Sequence, residues 1–297
     1  MFNPLDSTWK VTTNVQMPGS SMAYHGLEFV HNKIWCVGGY SQDGGFLSSL
    51  HAFNTKDGTW MEKSPMSTKR CYVATSVLDG KIFAFGGHSG GSAERLRTAE
   101  VYDPARNQWD SIAPMIHNRS DFTSVVLHGR IYVIGGFHGF HYQSTIESYN
   151  PVEDRWSQVG NLQLGPRSGA SAVVLGDRIY VLGGYDGSQR LGSVECFTPG
   201  IVNNTWHIVP DMLHRRSNFS AVVVDSKTIM VVGGFRRDAQ DEEGEVCGQV
   251  EFLDTVQNVW TAGPPINVPR SALRAVKAPL STVRGWSRSQ GLEMFEL

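Results

Sequence analysis

Five rings recur at one period in this chain: Tyr40, His88, Phe137, Tyr185 and Phe235. Each directly follows a pair of glycines. Arg190 comes shortly after Tyr185, and Ser168 and Ser217 stand in the stretches expected to face it. A guanidinium among hydroxyls and ring edges suits a carboxylate or a phosphate, held by paired charge-assisted hydrogen bonds. His138 and Arg236, next to Phe137 and Phe235, extend the polar part of this set. Together this set suits binding.

Other chemistry finds little support. His138 and His141 form an HxxH with no third ligand, which is weak grounds for a metal. Cys36, Cys71, Cys196 and Cys247 form no CxxC pair and read as reduced packing residues, which points to an intracellular, cytoplasmic location. The glycine-rich GGSAERLR and GGYDGSQRLG do not match a phosphate-binding loop, and no helix follows to hold the phosphate. There is no GxSxG, HExxH or paired-carboxylate motif. No catalytic residue, metal or cofactor is therefore expected. The net charge of −2 gives no nucleic-acid footprint, and no apolar run reaches the roughly 20 residues of a membrane helix. Residues 1–20 do not read as a signal peptide.

What positions the rings is a repeat. The glycine pairs Gly38-Gly39, Gly86-Gly87, Gly135-Gly136, Gly183-Gly184 and Gly233-Gly234 end apolar strands at intervals of 48, 49, 48 and 50 residues. Glycine weakens a strand interior, so five pairs at one period imply close backbone approach or a sharp turn. Trp9, Trp60, Trp109, Trp156, Trp206 and Trp260 recur alongside, at intervals of 51, 49, 47, 50 and 54. Each unit reads as four short strands a, b, c and d, with strand b apolar throughout and tryptophan on strand d. Four-stranded sheets repeated radially make a β-propeller. One fully buried tryptophan per blade would be the main contact between blades.

The boundaries follow. Blades are expected at about 22–62, 70–111, 119–158, 167–208 and 216–262, in one domain spanning 1–297. An incomplete sixth is expected from 1–12 and 270–297. Phe2-Asn3-Pro4 before Trp9 matches Tyr149-Asn150-Pro151 before Trp156, so the chain starts at the end of a strand c, in mid-repeat. Leu292 to Phe295 is similar to Val194 to Phe197 and also reads as a strand c, leaving strand b degenerate or missing. Strand direction places the b–c and d–a loops on one face. The b–c loops vary in length and sequence, as binding loops on a rigid scaffold do. The rings could equally line the central channel. The periodic Arg70, Arg119, Arg167, Arg216 and Arg270 could cap loop carbonyls, and the acidic run from Asp238 to Glu245 could be a solvated loop or a partner contact.

The glycine pair after an apolar strand, the Tyr-x-Pro turn and the later tryptophan resemble the kelch repeat, over almost the whole chain. The strings RCYV, RSDF, RSGA, RSNF, RSAL and AYHG resemble the kelch domains of the kelch-like BTB–kelch family. That resemblance implies a non-enzymatic propeller that recognises the substrate of a cullin-3 ubiquitin ligase. It implies that cullin-3 is met only through a BTB domain; the BTB and BACK regions that precede the propeller in the family lie outside this sequence, as in a fragment or shortened product. In ligand-binding members, a b–c loop arginine and the serine of the RS pair contact an acidic peptide. Arg190 and Ser120, Ser168, Ser217 and Ser271 match those positions. Cys71 and Ala23 replace the serine in two blades, which leaves the ligand's identity open. Kelch proteins also include actin-binding scaffolds and, more remotely, oxidases.

Overall fold

The computed structural model describes residues 2–3, 8–9, 22–90, 95–200, 203–237, 244–279 and 292–296. Every regular element among them is a β-strand. Each apolar b segment forms a strand buried along its length after the first residue, as in Lys81–Phe85 and Arg130–Ile134. An a strand pairs on one side of it and a c strand on the other. The sheets are antiparallel and built in chain order, for example Thr123–Leu127, Arg130–Ile134, Thr145–Asn150 and Arg155–Asn161. Tight polar turns set the register; Leu127 pairs Arg130 across His128 and Gly129, both at positive φ.

The chain forms a β-propeller. The inner strands Gly26–Val30, Ala74–Leu78, Thr123–Leu127, Ser171–Leu175, Ser220–Val223 and Ala275–Pro279 each touch the next, and the last touches the first. The blades pack face to face through apolar clusters. One such cluster joins Phe85 and Met115 to Tyr149 and Trp156, and another joins Leu182 and Phe219 to Ile229 and Trp260.

The sixth sheet is closed by both ends of the chain, with the strand order Thr8–Trp9, Phe2–Asn3, Leu292–Glu296, Ala275–Pro279. Its two outer strands are only two residues long. One assignment changes: Leu292–Glu296 takes position b, pairing Ala275–Pro279 on one side and Phe2 on the other. Position c is already held by Phe2–Asn3, so the likeness to Val194 to Phe197 misleads. Phe2 is buried against Val232, Val250 and Leu273 of the fifth and sixth blades. Ala278 joins Ile34, Cys36 and Phe53 of the first.

The tryptophans are less buried than expected. Trp156 and Trp260 are buried, whereas Trp9, Trp60, Trp109 and Trp206 are half-buried. Most stack on a fully buried ring of strand c, as Trp109 does on Tyr102 and Trp206 on Phe197. Their indole N–H groups tie blades together: Trp109 donates to Ser64 O, Trp156 to Ala113 O and Trp260 to Pro210 O, each on the preceding blade.

The glycine pairs have a geometric cause. Gly135 and Gly136 lie at φ 66° and 103°. A Cβ on Gly135 would come 2.6 Å from the carbonyl oxygen of Arg167 in the next blade. The Gly136 N–H donates to that same oxygen at 2.8 Å. The contact repeats at every junction between consecutive pairs and arginines, from Gly39 N to Arg70 O through Gly234 N to Arg270 O.

The periodic arginines are structural. Arg70, Arg119, Arg167 and Arg216 are essentially without exposure. Each donates to the carbonyl of the first glycine in its own blade: Gly86, Gly135, Gly183 and Gly233. Each also pairs with a buried glutamate on strand c: Glu100, Glu147, Glu195 and Glu251. The same glutamates accept backbone N–H groups from the d–a connection, as Glu147 does from Ile116 and His117. The first blade carries Met22 and His51 at the corresponding positions, so the Arg–Glu pair is replaced there. Arg270 is exposed.

Candidate functional site

The b–c and d–a loops meet on one face. The residue after each of the arginines 70, 119, 167 and 216 bridges to the ring after the glycine pair: Cys71 to His88, Ser120 to Phe137, Ser168 to Tyr185 and Ser217 to Phe235. Ala23 pairs with Tyr40 in the same way within a strand. Ser271 has no such partner among the described residues, because the sixth unit lacks the glycine pair; it lies outside the pocket described below.

These rings do not stand alone. At one fixed position of each b–c loop a side chain reaches the ring of the next blade. Phe46 meets His88 edge-on at 5.2 Å, and Arg95 lies 5.2 Å over Phe137. Tyr142 meets Tyr185 at 5.5 Å, and Arg190 lies 4.8 Å over Phe235. The fifth blade has Val246 there, exposed. Phe46 also touches Tyr40, Tyr142 touches Phe137, and Arg190 lies 4.3 Å over Tyr185. An almost continuous rim of π contacts results.

Arg190 is therefore not a free loop arginine. It opens the strand Arg190–Thr198, is gripped between Tyr185 and Phe235, and donates its Nε to Ser217 Oγ at 3.3 Å. Its two terminal nitrogens carry no hydrogen bond to the described residues, and the residue lines a pocket of about 210 Å³. Ser168, Ser217, Phe137 and Tyr185 line this pocket too. Ser120 lies at its edge, accepting from Arg95 Nε at 2.8 Å and donating to Asp121. Tyr40, His88, Phe235, His138 and Arg236 lie outside the pocket. His138 stacks on His141 with centroids 4.7 Å apart, and Arg236 is ion-paired with Glu245. Most of the acidic run, residues 238–243, lies outside the described residues.

Sequence reasoning missed half of the pocket. Arg95 stands where Arg190 stands, each just before a leucine, and the repeated Arg-Leu was the available signal. Tyr142 holds the same position in the third blade. Tyr72, Asp121 and Asn218 enter from a collar with no side-chain signature. Tyr24, Tyr72, Asp121, Gly169, Asn218 and Ala272, one per unit, all adopt positive φ between 51° and 59°. From Tyr72 onward the N–H of each donates to the carbonyl of the one before it: Tyr72 to Tyr24, Asp121 to Tyr72, Gly169 to Asp121, Asn218 to Gly169 and Ala272 to Asn218. An arc of five backbone bonds thus runs around the channel mouth from Tyr24 to Ala272. Left-handed backbone costs roughly 1–2 kcal/mol at a residue other than glycine, which the interblade hydrogen bonds offset. Burial pushes the Asp121 carboxyl up to about 6. The four cysteines are free and buried, and burial pushes the Cys36 and Cys71 thiols up to about 12.

A family model described as the KLHDC2/KLHL20/DRC7 Kelch-repeats domain matches residues 1–164, and a Kelch motif matches residues 166–213. The chain belongs to the kelch-repeat family. Kelch repeat-containing protein kel-10 of Caenorhabditis elegans is 35% identical over 175 residues, covering 57% of this chain and 30% of that protein. Kelch-like protein 23 of Homo sapiens is 29% identical over 264 residues, 88% of this chain and 44% of that protein. Alpha-scruin of Limulus polyphemus is 26% identical over 119 residues, 38% of this chain and 12% of that protein. The chain thus spans less than half the length of these kelch relatives. The solved structure of YjhT matches with a TM-score of 0.75 over 94% of this chain and 99% of that one, at 13% identity. That likeness shows the shared propeller fold and leaves the chemistry open. No helix of the described residues is long and apolar enough to cross a membrane.

Proposed function

We propose that this kelch propeller is a non-enzymatic protein-recognition module that holds an acidic or phosphorylated segment of a partner at the channel mouth. The observation that carries the reading is Arg190. Two rings and Ser217 fix its direction, while both terminal nitrogens carry no hydrogen bond to the described residues and the side chain lines the pocket. A guanidinium pre-oriented in this way loses little entropy on binding a carboxylate or phosphate. Ser168 Oγ and the edges of Tyr142 and Tyr185 supply the further contacts.

Within the family, we place the chain among the kelch-like BTB–kelch substrate receptors of cullin-3 ubiquitin ligases, acting in the cytoplasm. The strings that open the inner strands resemble those of kelch-like protein 10, and the similarity to kelch-like protein 23 covers most of the chain. Cullin-3 would be met through a BTB domain and not through this propeller. The second reading is an actin-binding scaffold, favoured only by the shorter similarity to alpha-scruin.

The test is a peptide array of acidic, phosphorylated, neutral and basic sequences, read with the wild-type chain and with Arg190→Ala. Selective binding of the first two classes, lost in the variant, is expected. Preference for basic peptides would overturn the recognition reading. Partners recovered this way should lose ubiquitin when this protein is depleted from cells; unchanged ubiquitylation would remove the ligase role. Co-sedimentation with filamentous actin would favour the second reading.

A further inference from the structure

Further along the inner strands the axis encloses a second polar cavity, of about 230 Å³. At three of the junctions around it, a hydroxyl on one inner strand accepts a backbone N–H of the next. Ala172 N donates to Thr123 Oγ1 at 2.9 Å, Ala221 N to Ser171 Oγ at 3.0 Å and Ala275 N to Ser220 Oγ at 3.0 Å. Each hydroxyl is the fourth residue after its unit's arginine. Each lines the cavity, and its own hydrogen finds no acceptor among the described residues. That hydrogen is left to donate inward.

The sixth unit carries Arg274 at the same position. A guanidinium has five N–H donors and no acceptor, so it cannot replace the hydroxyl's structural bond. It lines the cavity instead. One of its donors is used, by Nη1 to the Leu273 carbonyl at 3.1 Å. No ion pair joins it to a carboxylate among the described residues; Asp121 and Glu28 act on it only across space. The contrast is with Arg119, whose fork is occupied by Gly135, Thr145 and Glu147. Even half-buried, a cation with so few partners is costly to hold.

We propose that the axial cavity is an oxyanion site, in which a carboxylate- or phosphate-sized anion lies against the Arg274 fork and takes hydrogen bonds from Thr123, Ser171 and Ser220. The oxyanion is either free or carried on a partner seated at the mouth. The charged and titratable groups facing Arg274 fix the pH dependence. Glu28, hydrogen-bonded to Thr75 and pushed up to about 7 by burial, and Asp121, at about 6, compete with the anion once ionised. His25, brought down to about 4 by burial and by Arg274, is uncharged throughout this range. Binding is therefore tighter at pH 6 than at pH 8.

Calorimetric titration with sulfate, whose charge is constant across that range, tests the site. Wild type and Arg130→Ala, whose change sits in an a–b turn outside both cavities, should bind sulfate alike, more tightly at pH 6. Arg274→Gln should weaken binding by about tenfold or more, as expected on losing hydrogen bonds to a charged group. Equal affinity in Arg274→Gln, or no binding by wild type at millimolar sulfate, overturns the proposal. Should Arg274→Gln fail to fold, Glu28→Gln carries the test. At pH 8 it should bind sulfate more tightly than wild type, and unchanged affinity would refute the site. An aspartate-rich peptide that displaces sulfate assigns the cavity to a partner's side chain; binding of both together assigns it to a free anion.

Discussion

Trp9 donates its indole N–H to the carbonyl oxygen of Pro264, 2.9 Å away, joining residues 255 positions apart. The same bond links Trp109 to Ser64 within the contiguous part of the array. At Trp9 it fastens the N-terminal strand of the sixth blade to the fifth. Trp9→Phe keeps the ring contact with Phe2 and removes the donor. We expect a loss of about 1 kcal/mol in thermal unfolding, close to that of Trp109→Phe. If Trp109→Phe destabilises and Trp9→Phe does not, the ring is not closed by this bond in solution.

Gly129 and Gly135 have nearly the same φ, 68° and 66°, yet a Cβ on Gly129 would meet nothing within 4 Å. Gly129→Ala should cost only the left-handed backbone term, about 1–2 kcal/mol. Gly135→Ala must in addition push Arg167 away and break the bond from Gly136 N, so a loss above about 3 kcal/mol is expected. Equal losses in chemical denaturation would show that close approach between blades is not what requires glycine.

The propeller, and the meeting of its b–c and d–a loops on one face, were legible because they rest on residue types that only one geometry demands. Glycine pairs recur where the next blade's Arg167 or Arg216 carbonyl arrives, and nothing larger fits. The rim was legible only in half. Its reaching position holds Phe46, Arg95, Tyr142, Arg190 and Val246, which share a place in the backbone and no side-chain chemistry. The glutamate partners of the buried arginines stood in view in TAEVYDP, TIESYNP and SVECFTP, but a charge inside a strand reads as solvent-facing until its arginine is found beside it. The sixth blade was misassigned at Leu292–Glu296 because strands b and c share an apolar pattern and only pairing separates them.

Arg190→Ala should weaken binding of an acidic peptide by about 1.5–3 kcal/mol. Because Arg190 bridges Tyr185 and Phe235, the change should also cost about 1 kcal/mol of stability. Arg130→Ala, in an a–b turn on the opposite face, should alter neither. Fluorescence anisotropy with a labelled peptide, beside a melting curve for each variant, separates the two effects. Equal peptide affinity in the two variants would place recognition elsewhere.

Glu28 makes stability fall with rising pH. Its folded pKa, about 7, lies above the ordinary 4.5 because of burial. Its protonated form is thus favoured in the fold. The associated stability is fully present below about pH 4.5 and is lost as pH climbs through 7, by roughly 3 kcal/mol in all. Glu28→Gln should therefore raise the melting temperature at pH 8 and change it little at pH 4.5. A stabilisation of equal size at both pH values would rule out titration as the cause. His25 acts in the opposite sense, since its lowered pKa withdraws stability as pH falls from 6.5 through 4.

The collar at the channel mouth separates two duties that most binding sites combine. Its peptide groups form the arc of hydrogen bonds, while its side chains read Tyr, Tyr, Asp, Gly, Asn and Ala in order from residue 24 to residue 272. Because peptide groups carry the hydrogen bonds, the side chains at the five non-glycine positions can vary within what left-handed backbone allows, whereas a Cβ on Gly169 would meet Asn218 Oδ1 at 2.5 Å. Substitution at the collar thus changes the chemistry lining the channel mouth without altering the pairing of a single strand.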